Sequence, residues 1–376
     1  NPIIREYLYK NQPDNLQQSV NTWLFEYYKA QYQQSQLQLG VFVKLLEHGL
    51  KSQQQQQITD WFLEQITLLS QAQKHHFTIF ALQTLLQYQQ NALAFSLLGK
   101  SFLALEDYPQ ALIALQTAEK LWEAENMQDS LPVSNVQLQL AVCYLKLQRT
   151  SDAYLATKKA LSIRITKFNQ DSVEIAEVLN LQTEIAIIQG RFSEALNLSK
   201  KTLQIFESHQ NISTLQLAQT KFTIACLNAV NKNFHIALEL LKQALDNLDS
   251  PNHPLAIYCH TILGNIYQNM GYFRYQQAYE HYKMALESAE INLGLTHPQT
   301  RQLITAIINF SRIRGEYDTV DILTQRRHAN MKLVILKKLL LLHTGLIKSV
   351  ACFINKEILL FQSIYYNKHY KLTVKF

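Results

Sequence analysis

A small residue recurs along this chain of 376 residues at a nearly constant interval. The six positions are separated by 42, 42, 42, 41 and 42 residues, and we call them the anchors: Ala111, Ala153, Ala195, Ala237, Ala278 and Val320. A stack of similar helical hairpins needs a small residue wherever two helices cross closely, once in each copy. The interval therefore predicts a repeat protein, because a single irregular domain has no reason to keep such a register.

Other positions keep the same register relative to the anchor. A small residue follows the anchor by seven positions in five copies, and an aromatic residue usually precedes it by three positions. Gly190 and Gly315 each stand five residues before an anchor, where the chain must turn between two helices. Gly271 instead stands seven residues before Ala278, which predicts two extra residues in that turn.

The order of small, aromatic and turn residues is the tetratricopeptide pattern, and "LLGKSFLALEDYPQALIALQTAEKL" (97–121) follows it closely. The chain therefore resembles a tetratricopeptide repeat protein over about 92–328. The usual period is near 34 residues, and the longer period here resembles the kinesin light chain-type subclass, as does the phrase "LGLTHPQT" (293–300). The resemblance implies an all-α fold, a right-handed α-solenoid of stacked helix-turn-helix hairpins. It does not specify a function, because such arrays serve many partners.

Three parts are expected along the chain. Residues 1–90 are predicted to be an N-terminal helical region outside the anchor register. It is either a bundle or degenerate repeats that cap the array. Residues 92–328 are predicted to form six repeats. Residues 329–376 are apolar and basic, and the repeat pattern stops there.

The C-terminal segment 332–361 admits three interpretations. It is a helix that caps the last repeat, a basic amphipathic element lying on a membrane surface, or a tail unrelated to the repeats. Its longest uncharged stretch is about half of the 18 or more residues that a membrane span needs.

Composition excludes several classes of protein. Glycine and proline are scarce, at 9 and 7 residues, which favours helices. The net charge of +6 arises from residues 332–376, which contain eight lysines and one acidic residue, so the remainder of the chain carries about −1. Nucleic-acid binding by the repeats is therefore not expected. Four scattered cysteines, at positions 143, 226, 259 and 352, indicate free thiols rather than disulfides or a zinc site.

No catalytic grouping is present at a convincing spacing, so the chain is predicted not to be an enzyme and to need no metal or cofactor. His75 and His76 are predicted to be solvated, and His253 and His297 each precede a proline in a repeated loop phrase. The start of the chain, "NPIIREYLYK", lacks the apolar core of a signal peptide, so a cytoplasmic location is expected. The absence of an initial methionine indicates processing or an excised fragment.

The resemblance implies a concave groove lined by the first helix of each hairpin. The candidate groove residues at inward positions are Asn180, Glu184, Gln219, Phe222, Tyr258, Asn265, Gln268, Asn309 and Arg312. An asparagine amide can donate to and accept from a peptide backbone at once, and an aromatic ring can select an apolar side chain.

These features predict an interaction scaffold or adaptor that binds a peptide or helix of a protein partner. One alternative is a regulatory module of a larger signalling or transcription-regulating protein. Another is a peripheral membrane-associated adaptor that attaches through 332–361, and an enzyme with its site in 1–90 is the least favoured.

Overall fold

The computed structural model describes residues 13–34, 39–52 and 55–329, and every regular element in these ranges is a helix. The hypotheses about 332–361, and the thiol of Cys352, lie outside the described residues. The chain divides into two compact units, one ending at Ile212 and the other beginning at Ser213. Each unit is a stack of antiparallel helical hairpins, so the predicted all-α solenoid is confirmed.

Unit 1 contains ten helices in its described residues. They are α1 (Asp14–Gln34), α2 (Leu39–Gly49), α3 (Gln55–Gln71), α4 (His75–Leu86), α5 (Ala92–Ala104), α6 (Tyr108–Ala124), α7 (Leu131–Lys146), α8 (Thr150–Lys167), α9 (Val173–Ile188) and α10 (Phe192–Ser208). The helices from α5 onward pair as hairpins, each with a first and a second helix, and these are repeat copies one to three. The preceding four helices, α1 to α4, lie outside the anchor register.

Helices α1 to α4, which lie outside the anchor register, share one core with the first repeat. Phe25, Phe42 and Phe62 are fully buried and meet edge to face, with ring centroids 5.6–5.9 Å apart. The same cluster continues to Leu97 and Leu98 of α5. The apolar side of the first hairpin is therefore covered by the N-terminal helices, and its exposure to water is avoided.

Unit 2 contains copies four to six. Its helices are α11 (Thr214–Val230), α12 (Phe234–Asp246), α13 (Pro254–Asn269), α14 (Tyr275–Asn292), α15 (Pro298–Arg314) and α16, which covers 317–329. One apolar cluster runs through all three hairpins, from Ala225 on α11 to Val320 on α16. The predicted insertion forms a 3-10 turn (Tyr272–Arg274) between α13 and α14.

The anchors occupy equivalent places on the second helices. The five alanines are completely buried, and Val320 is 7% exposed. A small residue on the first helix faces the same crossing: a Cβ on Gly99 would lie only 2.5 Å from the side chain of Leu115. The crossings are therefore too close for larger side chains at these positions.

The loop phrase that ends in histidine and proline starts a helix in two copies. His253 and His297 are the N-terminal caps of α13 and α15, and the Nδ1 atom of each accepts a backbone N–H, from Leu255 at 3.1 Å and from Gln299 at 3.3 Å. The proline that follows each histidine has no N–H to leave unsatisfied in the first turn. These histidines therefore serve the fold, as the sequence predicts.

Candidate peptide-binding groove

Two first helices of unit 2, α13 and α15, line an open groove with a cavity volume of about 560 Å³. From α13 come Tyr258, Thr261 and Asn265, which share a helix face because they are three and four residues apart. From α15 come Gln302, Leu303 and Ala306, and the loop with His297 closes one end. All of the lining residues except Tyr282 and His297 therefore lie on first helices.

Tyr282 of α14 forms the floor of this groove. Its hydroxyl donates to Oδ1 of Asn265 at 2.6 Å and lies 3.0 Å from Oε1 of Gln268. Burial raises the pKa of Tyr282 to about 12, so the phenol keeps its proton and remains a donor. The carbonyl end of the Asn265 amide is therefore occupied, and within the described residues its Nδ2 atom has no partner and is available to a ligand.

An aromatic pair extends the groove toward α11. The rings of Phe222 and Tyr258 meet edge to face, with centroids 6.5 Å apart. Tyr258 is 47% exposed although it is a large aromatic residue, and Phe222 is half-buried beneath it. The structure therefore brings together the two aromatic residues that the sequence places on the concave side of copies four and five.

The remaining candidate residues lie apart from this groove lining. Gln219 is exposed on α11, and Asn309 and Arg312 are exposed further along α15 than the residues that line the cavity. In unit 1, Asn180 is half-buried and Glu184 is exposed on α9, where desolvation raises the pKa of the Glu184 carboxyl and the charge of Lys146 opposes that rise.

Comparison with known proteins agrees with the hairpin architecture. No family model matches the chain. A curated relative, kinesin light chain-related protein 1 of Arabidopsis thaliana, is 23% identical over 227 residues, which is 60% of this chain and 37% of the relative. The chain thus spans a little over a third of that relative's length.

Two solved structures share the fold. The chain aligns with the APC/C hetero-tetramer Cut9–Hcn1 at a TM-score of 0.51 and 15% identity, over 75% of this chain and 52% of that one. It aligns with the apo form of RapI at a TM-score of 0.50 and 13% identity, over 73% and 98% of the two chains. At these identities the likeness concerns the fold alone.

The anchor register, the paired helices and the relative's name agree. The chain has the fold of a tetratricopeptide repeat protein and is similar in sequence to a kinesin light chain-related protein. The resemblance noted in the sequence is thereby confirmed.

Charge is distributed unevenly over the helices of this repeat array. In unit 2 the first helices α11, α13 and α15 contain no carboxylate, and their charged residues are Lys221, Arg301, Arg312 and Arg314. The second helices α12 and α14 carry five acidic residues and two lysines. The first helices of unit 2 therefore carry positive charges only, whereas α12 and α14 carry mainly negative ones.

Three residues that lie in or beside the groove are not among those predicted from the sequence. Tyr282 stands four residues after its anchor on a second helix, and its place in the groove floor depends on the crossing with α13. Arg301 and Arg327 line a neighbouring cavity. A comparison of equivalent repeat positions could have identified both arginines, since each stands in copy six where the other copies hold small or aliphatic residues.

Other kinds of site find no support in the described residues. In these ranges no three His, Cys, Asp or Glu side chains are placed to hold a metal ion. Among the helices described, none has both the length and the apolar character to cross a membrane. Cys143 and Cys259 are buried, Cys226 is half-buried, and burial raises the pKa of all three thiols, so they are protonated at neutral pH.

Proposed function

We propose that this protein is a non-enzymatic interaction scaffold that holds an extended peptide segment of a protein partner in the groove between α13 and α15. The observation that carries the proposal is the open cavity of about 560 Å³, whose walls present both free amide groups and an exposed aromatic ring. A rigid surface of this composition binds by complementarity and requires no chemistry.

The amide groups supply contacts to the peptide backbone. The Nδ2 atom of Asn265 and the side chain of Gln302 make no hydrogen bond within the described residues and face the same cavity. Each can pair with the N–H or C=O groups of an extended segment whatever its side chains are. These contacts hold the segment in register without selecting its sequence.

The aromatic pair supplies selectivity. Tyr258 rests edge to face on Phe222 and exposes about half of its surface beside the cavity. An apolar side chain of the partner that covers Tyr258 removes this surface from water, which favours binding by about 25 cal/mol for each Å² buried. The positive charges of the first helices add a preference for acidic residues around that side chain.

The other candidate residues keep secondary places in the proposal. Gln219, Asn309 and Arg312 would contact a partner segment that extends past the cavity along unit 2. Asn180 and Glu184 would act in the same way on unit 1. The proposed organisation assigns binding to 92–328 and capping of the first repeat to 1–90.

A degenerate library of extended nine-residue peptides tests the proposal, with the full chain as immobilised bait. Tyr258→Ala and Gln302→Ala should each weaken retention of selected peptides about tenfold, because truncation of a central interface residue commonly costs more than 1 kcal/mol. The double variant Asn265→Ala, Asn309→Ala should also weaken retention. Met284→Ala is the matched control, since Met284 is exposed on α14 outside the groove lining.

Helical circular dichroism must be the same for all variants. Retention that does not change in Tyr258→Ala and Gln302→Ala would remove the groove from consideration, and an equal loss in Met284→Ala would show that the loss is not specific to the groove.

A further inference from the structure

Beside the groove, residues of α15 and α16 line a second open cavity of about 450 Å³, and two of these residues are arginines. It is lined by Pro298, Arg301, Gln302, Thr305 and Arg327, and none of these residues is acidic. Pro298 and Gln302 also line the groove, so the two cavities adjoin each other along α15. We call this cavity the two-arginine pocket.

The repeat register shows that these two arginines occupy facing positions. Arg301 stands nineteen residues before the anchor of copy six, and Arg327 stands seven residues after it. In copy two the same positions hold Ser134 and Ala160, where the Ser134 hydroxyl donates to the Ala160 carbonyl at 3.3 Å. The hairpin geometry therefore brings this pair of positions together.

The other copies fill the facing positions with small or aliphatic buried residues. Allowing for the two-residue insertion in copy five, the pairs are Ala92 with Ala118, Ala176 with Thr202, Ala218 with Ala244, and Ile257 with Ala285. Only copy six places two like charges there. Two guanidinium groups that line one cavity repel each other, so the arrangement costs free energy unless an anion lies between them.

Neither arginine of the pocket has an internal counter-charge in the described residues. The Nε atom of Arg301 is buried without a hydrogen-bond partner. Arg301 also lies in the first turn of α15, where the helix dipole disfavours a cation. By contrast, the adjacent Arg326 pairs with Glu290 at 2.8 Å, and Arg314 pairs with Glu316 at 2.8 Å. The two pocket arginines thus lack the partners that their neighbours have.

We propose that the two-arginine pocket binds the phosphoryl group of a phosphorylated side chain in the peptide that occupies the groove. A phosphoryl group carries a charge of about −1.5 to −2 at neutral pH and three acceptor oxygens, which matches two guanidinium groups. A single carboxylate matches only one of them. Because the pocket adjoins the groove, the phosphoryl group belongs to a segment of the partner, and this inference rests on the proposed function.

The experiment compares three forms of one nine-residue degenerate library, with phosphoserine, serine or glutamate at the central position and the full chain as bait. The phosphoserine library should be retained about 10- to 100-fold more strongly than the serine library, as expected for hydrogen bonds to a charged group. Arg301→Gln and Arg327→Gln should each remove most of this preference. Arg326→Gln, one residue away but paired with Glu290, is the matched control and should keep it.

Several results would overturn the proposal. Equal retention of the phosphoserine and serine libraries would remove the phosphoryl site and leave the groove in place. Equal retention of the phosphoserine and glutamate libraries would make the pocket a carboxylate site. An equal loss in Arg326→Gln and Arg327→Gln would reduce the effect to general charge.

A titration with phenyl phosphate separates failure of the pocket from failure of the groove. Binding that is lost in Arg301→Gln and Arg327→Gln but kept in Tyr258→Ala supports the pocket even if no peptide is retained. No binding of phenyl phosphate, together with retention of unphosphorylated peptides, contradicts the pocket alone.

Discussion

The ring of Tyr282 lies directly against the backbone of Gly264, so closely that a Cβ at position 264 would stand 2.8–2.9 Å from three of its carbon atoms. The same two register positions hold Ala225 and Leu241 in copy four. Copy five therefore has Gly264 where copy four has Ala225, and it has the phenol of Tyr282 where copy four has the aliphatic side chain of Leu241. This exchange places a hydroxyl in the groove floor beside Asn265.

Gly264→Ala should destabilise unit 2 by about 1–2 kcal/mol, because overpacking costs about 1–3 kcal/mol and the gain in helix propensity offsets less than 1 kcal/mol of it. Amide hydrogen exchange in α13 and α14 measures the effect locally, as repeat arrays need not unfold in one step. In the double variant with Tyr282→Leu, which restores the pairing of copy four, Gly264→Ala should be nearly neutral. Equal costs in the two backgrounds would show that the ring does not set the identity of residue 264.

Arg164→Met should destabilise unit 1 by roughly 2–4 kcal/mol, since Arg164 is 4% exposed and its guanidinium joins three helices. It donates to Ser134 Oγ at 3.1 Å, Asn135 Oδ1 at 2.9 Å and Glu177 Oε2 at 2.8 Å. Urea denaturation followed by circular dichroism measures the change. Arg149→Met should cost less than about 1 kcal/mol, because Arg149 forms a surface pair with Asp152, and comparable losses would contradict the assigned role of Arg164.

The sequence reveals those features that depend on spacing along one helix or from copy to copy. The anchors are predictable because a helix crossing repeats at each copy, and Tyr258 and Asn265 are predictable because the inward face of α13 follows the helical period. Tyr282 enters the groove through a contact between α13 and α14, and its position relative to Asn265 cannot be read from either helix alone. Asn309 illustrates the reverse limit, since it shares the inward register but lies beyond the cavity lining.

Gly271→Ala should cost roughly 1–3 kcal/mol, because its backbone has φ +103° and ψ 179°, a region that only glycine adopts readily. Space is not the limit, since no atom lies within 4 Å of the added Cβ. Gly315→Lys should cost at most about 1 kcal/mol, because its φ of +74° is left-handed helical. Glu106, Gln148 and Lys232 already occupy the corresponding turns at φ near +60°. Thermal unfolding compares the two variants, and similar costs would contradict the distinction.

Acid should weaken unit 2 through a pair of half-buried histidines, His260 and His281. Nδ1 of His281 lies 3.1 Å from Nδ1 of His260, and the His281 ring stacks on Tyr267 with centroids 5.5 Å apart. Burial, followed by the charges of His260 and Lys242, lowers the pKa of His281 from 6.5 to about 4. Burial also lowers the pKa of His260. The folded protein therefore favours the neutral imidazole, and the unfolded chain takes up the proton first.

This stabilisation is complete above pH 6.5 and is lost as the pH falls from 6.5 toward 4, because only the unfolded state binds the proton in that window. The loss from His281 alone should reach roughly 2 kcal/mol by pH 5. Urea denaturation at pH 7.5, 6 and 5 measures it. His281→Phe keeps an aromatic ring but cannot titrate, so its stability should fall less with acid than that of the unaltered chain.

His235→Asn is the matched control for the acid effect, since His235 is exposed on α12 and belongs to the same unit. The free energy of unfolding of His235→Asn should depend on pH in the same way as that of the unaltered chain. If His281→Phe and the unaltered chain lost the same free energy of unfolding between pH 7.5 and 5, the histidine pair would not be the origin of the acid sensitivity. A steeper loss in His281→Phe would likewise contradict the assignment, because removal of the group can only flatten the dependence that it causes.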